Sequence, residues 1–278
     1  GGIEKHGGPY WLRTHQGYDA SVAMAVDAAI PTDAFKSVAA QAFEARMSRD
    51  EIAERRYAAR NRDEQKTDAL LLLLAPPEKA SYRSRDGANY VSLRKWEPNA
   101  QKRTGRRSSR RRRSNVSKLS LRVEVTPRGF QVRTEDGPVE PLEECPDDGP
   151  TVCLEADAEQ FDGELTAYRE VAAEADAESA RSRASTVADA YAFHRLHRLL
   201  YELHEEHENE NRQPYTRKVD EVRISIADGL PFEVLVKSVS AVAKRQWRGG
   251  SFETSSELFA ESSRYRNMFD RIYLDLDN

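Results

Sequence analysis

A chain of 278 residues has room for one large domain or two small ones. Hydrophobic residues make up 38% of it, below the ~45–50% usual for globular domains, and charged residues 32%, above the usual ~25%. Part of the chain is therefore expected to pack and part to stay solvated, and the longest apolar run, residues 69–75, is far short of the ~20 residues a membrane helix needs.

The formal net charge of −4 hides two blocks, a basic one over 102–113 and an acidic one over 135–178. The start, Gly1-Gly2-Ile3, reads as a fragment or a processed end with no signal peptide. Residues 21–30 are rich in Ala and Val and read as a helix, interrupted by Pro31. Thr32 or Asp33 can cap a longer helix reaching about Arg62, with Phe35, Val38, Ala39, Ala42, Phe43 and Met47 at spacings of three and four. Asp68 then heads five leucines, Leu70 to Leu74, which Pro76-Pro77 stops. Asp68 reads either as an N-cap or as an acidic group at the head of a hydrophobic helix, a position used in proton relays. Residues 78–118 lack apolar periodicity and read as a linker, with Tyr90 and Trp96 as isolated aromatics.

From Leu119 the pattern sharpens. Leu119 to Val125 alternates apolar and polar residues, Pro127-Arg128-Gly129 makes a turn, and Phe130 to Thr134 alternates again, so 119–134 reads as a β-hairpin. Residues 155–183, rich in Ala, Glu and Asp, suit a solvated helix. A better helix is expected over 186–207, where Phe193, Leu196, Leu199, Leu200 and Leu203 form one stripe. Val222, Ile224 and Ile226 mark a strand, and Asp228-Gly229-Leu230-Pro231 a turn with Pro near the first helical position. A helix over 232–246, a short helix around Leu258 and Phe259, and a strand through Ile272, Leu274 and Leu276 complete the chain.

The expected fold is α+β. A small mixed sheet (hairpin 119–134, strands 222–227 and 271–276) is covered by helices 186–207 and 232–246, with a helical N-terminal region. The divisions are a helical region over 1–65, a short apolar segment over 66–77, a basic linker over 78–118 and an α+β domain over 119–278 with a helical insertion at about 155–183. No internal repeat is visible in the sequence.

No constellation points to an enzyme, a metal or a cofactor. Carboxylate pairs such as Glu143-Glu144 and Asp147-Asp148 fall in turns without a matching His or Lys, and Walker, GxGxxG and GxSxG motifs are absent. His194, His197, His204 and His207 sit on one helix, but His204 and His207 are three apart rather than the four of a zincin site, so a polar helix face is expected there. Cys145 and Cys153 flank a turn and are either two unrelated thiols or a disulfide of an oxidising compartment. Arg106, Arg107, Arg110, Arg111, Arg112 and Arg113 form either a solvated linker or a binding site for an anionic polymer. No aromatic residue interleaves that run, so base stacking is not expected within it.

Three segments carry a resemblance to the ExbD/TolR family of accessory proteins in proton-driven envelope machines. The segment 121–132, Leu-Arg-Val-Glu-Val-Thr-Pro-Arg-Gly-Phe-Gln-Val, is like the hairpin that opens the family's periplasmic domain, and 197–207 is like its first helix. The segment 222–239 is like its strand, its turn with Pro and an aromatic, and its second helix, and 271–276 is like the closing strand. Residues 67–74 resemble the start of the family's membrane helix, with Asp68 matching its proton-handling aspartate. The resemblance implies a non-enzymatic docking module in the cell envelope, associated with the inner membrane and facing the periplasm. It implies an ExbB/TolQ-like channel subunit and a TonB- or TolA-like protein as partners, and a homodimer as the assembly. The alternative reading is a soluble protein that binds nucleic acid or another polyanion through the arginines of 102–113.

Overall fold

Alternating apolar residues in short strands need a neighbour on each side and a cover on one face, and the chain supplies both. The computed structural model describes residues 10–15, 23–44, 46–48, 64–66, 69–73, 90–96, 116–117, 119–174, 176–210, 217–218, 220–243, 268–269 and 271–277. In chain order the first elements are β1 (Tyr10–His15), β2 (Ala23–Val26), α1 (Thr32–Glu44), β3 (Arg46–Ser48), β4 (Glu64–Lys66), β5 (Ala69–Leu73) and β6 (Tyr90–Lys95). Then come β7 (Val116–Ser117), β8 (Ser120–Thr126), β9 (Gly129–Arg133), β10 (Val152–Cys153), α2 (Ala158–Ala173), α3 (Ala177–Asp189) and α4 (Phe193–Glu210). Last are β11 (Arg217–Lys218), β12 (Glu221–Ile226), α5 (Phe232–Ala243) and β13 (Arg271–Asp275).

The fold is α+β around one mixed sheet of nine strands in the order β10-β9-β8-β12-β13-β6-β5-β1-β2. Its middle, β8-β12-β13-β6, is parallel, and both flanks are antiparallel. Two short pairs, β7 with β11 and β3 with β4, stand outside it. In β8, Leu121, Val123 and Val125 are buried, while Ser120, Arg122, Glu124 and Thr126 are partly exposed. The register continues that buried face through Val222, Ile224 and Ile226 of β12, Ile272 and Leu274 of β13, and Leu93 of β6. Helix α5 closes the core; it is buried on nearly every side, as its apolar composition all round requires. Helix α4 lies against α5 with Leu196, Leu199 and Leu200 buried, and the small residues Ala180, Ala184 and Ala188 let α3 come close to α2 and α5.

The hairpin and both late strands stand where the alternation places them. The sheet is larger than expected because residues 10–95 build four of its nine strands. Residues 23–26 form a strand rather than a helix: Val26 is buried opposite Tyr10 of β1, and this pairing overrides the helix preference of alanine. Helix α1 ends at Glu44, well before Arg62, and Arg46–Ser48 pairs with Glu64–Lys66. The leucine run is β5, not the start of a helix. It pairs with β1 on one side and β6 on the other, burying Leu70 and Leu72. A short apolar run is equally compatible with a buried strand and a buried helix, and five residues suit the strand. The stretch expected as linker contains β6, whose Val91 and Leu93 are buried two positions apart.

Residues 155–207 form three helices rather than two. Asp157 caps α2 by accepting from the Glu159 and Gln160 amides, and Asp176 caps α3 by accepting from Ser179. The helix expected over 186–207 is thus split around residues 190–192, between α3 and α4. The part of 232–246 beyond Ala243 and the short helix around Leu258 lie outside the described residues.

An internal repeat, not expected from the sequence, is present. Residues 26–43 and 226–243 correspond at a constant shift of 200 (231 minus 31), and both run strand, turn, proline, helix. Pro31 and Pro231 are the single identity, which is why the repeat escapes sequence inspection. The equivalence lies in burial instead: Val26 and Ile226, Phe35 and Leu235, Ala39 and Val239, and Ala42 and Val242 are buried at matching positions.

Candidate functional site

Three constellations concentrate the polar chemistry of the described residues. The first is the sheet face opposite the helices. Arg94 of β6 stands directly across from Tyr273 of β13, Tyr273 from Arg223 of β12, Arg223 from Arg122 of β8, and Arg122 from Arg133 of β9. Directly paired residues share a face, so four arginines and a tyrosine form one line across five strands, about 19 Å long at ~4.8 Å per strand step. Trp96, just after β6, stands beside this line. The Arg223 guanidinium lies 4.5 Å from its ring centre, and Tyr273 meets it edge-on at 5.5 Å.

Carboxylates hold the two inner guanidiniums. Arg223 Nε donates to Asp275 Oδ2 at 2.8 Å, and its Nη2 donates to the same oxygen. Arg122 pairs with Glu124 at 2.6 Å. Asp275 is almost wholly buried beneath its partner, so Arg223 is fixed in place rather than freely swinging. Arg94 and Arg133, at the ends of the line, are exposed and have no ion pair among the described residues. Trp96 Nε1 and Arg122 Nε are buried N–H donors without a hydrogen-bond partner among those residues.

The second constellation ties the strand starts together. Asp220 lies just before β12 and is buried. Its Oδ1 accepts from the Leu119 amide at 3.3 Å, its Oδ2 faces His204 Nε2 of α4 at 3.3 Å, and its carbonyl accepts from the Arg271 amide at 3.2 Å. Burial pushes the Asp220 carboxyl up, but the hydrogen bond and charge of His204 and the Leu119 amide outweigh it and hold the carboxyl below its usual range. His204 meets Phe269 edge-on, and its Nδ1 has no hydrogen-bond partner among the described residues. His197, on the same helix, is bound by Nδ1 to the Ala241 carbonyl at 2.7 Å and belongs to the α4–α5 packing.

The third constellation is the turn after β12, which is engaged by its own repeat. Pro31 and Pro231 form an antiparallel bridge. The Thr32 amide donates to Leu230 O and the Phe232 amide to Ile30 O, each at 2.8 Å. Reciprocal bonds between equivalent positions are the pattern of a two-fold contact, here inside one chain. Phe35 and Phe232 stack at 4.3 Å, and Lys36 reaches Asp228 at 2.7 Å. Helix α2 grips both turns with adjacent residues: the Tyr168 hydroxyl donates to Ala29 O at 2.8 Å and Arg169 Nε to Gly229 O at 3.2 Å. Gly229 has φ +74, and an added Cβ would meet the Arg169 guanidinium at 3.0 Å. Gly229→Ala should therefore lower stability by about 1–2 kcal/mol in urea unfolding, from the left-handed backbone alone; an unchanged midpoint would contradict the turn geometry.

No family model, curated protein or solved structure matches the chain.

Of the residues singled out in the sequence, Cys145 and Cys153 are joined in a disulfide with their Cα atoms 5.5 Å apart. It closes the loop that leads from β9 to β10, where Gly129 lies too close to Val152 O for any Cβ. Replacing both cysteines by Ser should cost about 2–3 kcal/mol on the loop-entropy estimate for so short a ring, read from urea unfolding beside a thiol titration that finds no free thiol in the native chain. Asp68 and Arg106, Arg107, Arg110, Arg111, Arg112 and Arg113 lie outside the described residues. The arginine line was missed because its members are single residues on five strands far apart in sequence. The period-2 pattern marks each as facing away from the core, but only the register lines them up.

Proposed function

We propose that the chain is a non-enzymatic docking module, resembling the ExbD/TolR subunit of an envelope transport complex driven by the proton-motive force. The observation that carries this reading is the order of elements from residue 119 onward. A hairpin, a helix, a strand, the Asp228-to-Phe232 turn, a second helix and a closing strand follow one another as the resemblance implies, around the inserted α2 and α3. The disulfide supports an oxidising location such as the periplasm. Among the described residues no helix is long and apolar enough to cross a membrane, so membrane association would come through an ExbB/TolQ-like partner or through segments outside those residues. A TonB- or TolA-like protein is the expected recipient of force. The leucines that follow Asp68 form a strand within the sheet, and Asp68, the proton-handling position by the resemblance, lies outside the described residues. A homodimer is the assembly that the resemblance implies, and the Pro231 turn is engaged within the chain by Ile30 to Thr32.

The expected result is co-purification of the tagged chain with a polytopic channel subunit from envelope fractions of its native cells. Recovery solely from the cytosol, with no such partner, would rule this reading out.

A second reading, the binding of an anionic polymer, is favoured by one observation, the arginine line on the sheet face opposite the described helices. In this reading the arginines of 102–113 add non-specific attraction to a surface that the folded part already presents.

A further inference from the structure

The polyanion reading acquires a surface and a ligand class from the sheet face, and the inference here rests on that reading. The line Arg94–Tyr273–Arg223–Arg122–Arg133 runs perpendicular to the strands. A partner strand added by β-augmentation would run along an edge of the sheet, parallel to its strands. A ligand that meets all five positions must instead lie across them, as single-stranded nucleic acid lies across a sheet whose aromatic residues stack its bases.

Charge on the face also selects the occupant. Five arginines, those of the line and Arg271, stand against Glu124, Asp275 and Glu221. Glu124 and Asp275 are held by Arg122 and Arg223, and buried Glu221 accepts from Ser120 Oγ at 3.3 Å. The positive charge that remains outward is at the two ends of the line, Arg94 and Arg133, and at exposed Arg271 one strand position from its middle. Between the ends sits a partly exposed tyrosine, beside a tryptophan already stacked on a guanidinium. Phosphates need the ends and bases need the middle. An acidic peptide would use the ends alone.

We propose that this face binds single-stranded nucleic acid laid across β6, β13, β12, β8 and β9, with phosphates at Arg94 and Arg133 and a base against Tyr273. Arg122 and Arg223, clamped by their carboxylates, line the path between them. The binding mode predicts sequence tolerance and a steep fall with salt, because stacking and phosphate contacts read no base edge.

The test uses the full chain and a labelled oligothymidylate in fluorescence anisotropy over a salt series. Duplex DNA, polyglutamate and polyphosphate serve as competitors. Arg94→Gln/Arg133→Gln changes exposed side chains, so the fold should survive; circular dichroism checks it. This variant is expected to weaken binding at least tenfold and to lower the salt slope by about 1.4, at ~0.7 for each phosphate contact on a single strand. Tyr273→Leu is expected to weaken oligothymidylate about tenfold and leave polyphosphate unchanged. A third variant replaces Arg106, Arg107 and Arg110 to Arg113 by Gln. If oligothymidylate binding survives both face variants but is lost in this third one, the face inference falls and the polyanion reading stands. If the unaltered chain binds none of the polyanions, both fall. Displacement by polyglutamate as effective as by unlabelled oligothymidylate would overturn the assignment to nucleic acid and point to an acidic peptide.

Discussion

Asp220→Ala should lower the unfolding free energy by about 2–6 kcal/mol, at about 1–3 kcal/mol for each of the two donors it leaves without an acceptor. The side chains of Asp220 and His204 are only 8% and 6% exposed, so little solvent screens them. The truncation leaves His204 Nε2 and the Leu119 amide without their acceptor at a point where β8, β12 and β13 all begin. Asp220→Asn keeps an acceptor for the Leu119 amide and should cost less. The acid limb separates the two effects. The Asp220 carboxyl titrates lower in the folded chain than in the unfolded one. Its contribution is therefore fully present above the unfolded value of about 3.9 and is lost as pH falls through the folded value. Urea unfolding at a series of pH values should show this loss below about pH 4 in the unaltered chain and a weaker one in Asp220→Asn. A cost under about 1 kcal/mol for Asp220→Ala would mean the strand starts are held by backbone pairing alone.

The late elements were legible because each shows its own period. Leu121, Val123 and Val125 alternate, and Leu196, Leu199 and Leu200 recur at helical spacing, and each set packs as its spacing requires. The early elements were not, for reasons that differ from case to case. Leu70 to Leu73 lie in a strand with a neighbour on either side, and a uniformly apolar run carries no period to read. Residues 23–26 have the composition of a helix and form a strand because β1 is there to pair with. Val91 and Leu93 are two apolar residues in a long stretch otherwise without apolar period, too short a signal to mark a strand. The candidate site was the least legible of all. Register between distant strands decides which arginines stand together, and no local pattern records register. Asp220 and His204 are similarly remote in their separate elements: neither gives a motif, and burial of both is what makes them a pair.

The Asp228-to-Phe232 turn yields the other large effect. Phe232→Ala should destabilise the chain by about 3–5 kcal/mol, the cost of truncating a fully buried phenylalanine in a core that cannot close the space. Phe232 is fully buried and stacks on Phe35 across the two repeats. A double-mutant cycle tests whether this contact joins the halves. Phe35→Ala should cost a similar amount, and the double variant should cost less than the sum by about 0.5–1.5 kcal/mol, the direct ring–ring term, with a shared cavity adding to the coupling. All four proteins are compared by urea unfolding with the slope checked for constancy. Additivity within about 0.3 kcal/mol would show that the rings stabilise their own repeats separately. Coupling would show that the strand–turn–proline–helix units of residues 26–43 and 226–243 act as one folded body, joined where Pro31 meets Pro231. In that case a second copy of the chain cannot use this turn without first prising it from its own partner, and any oligomer must form elsewhere on the surface.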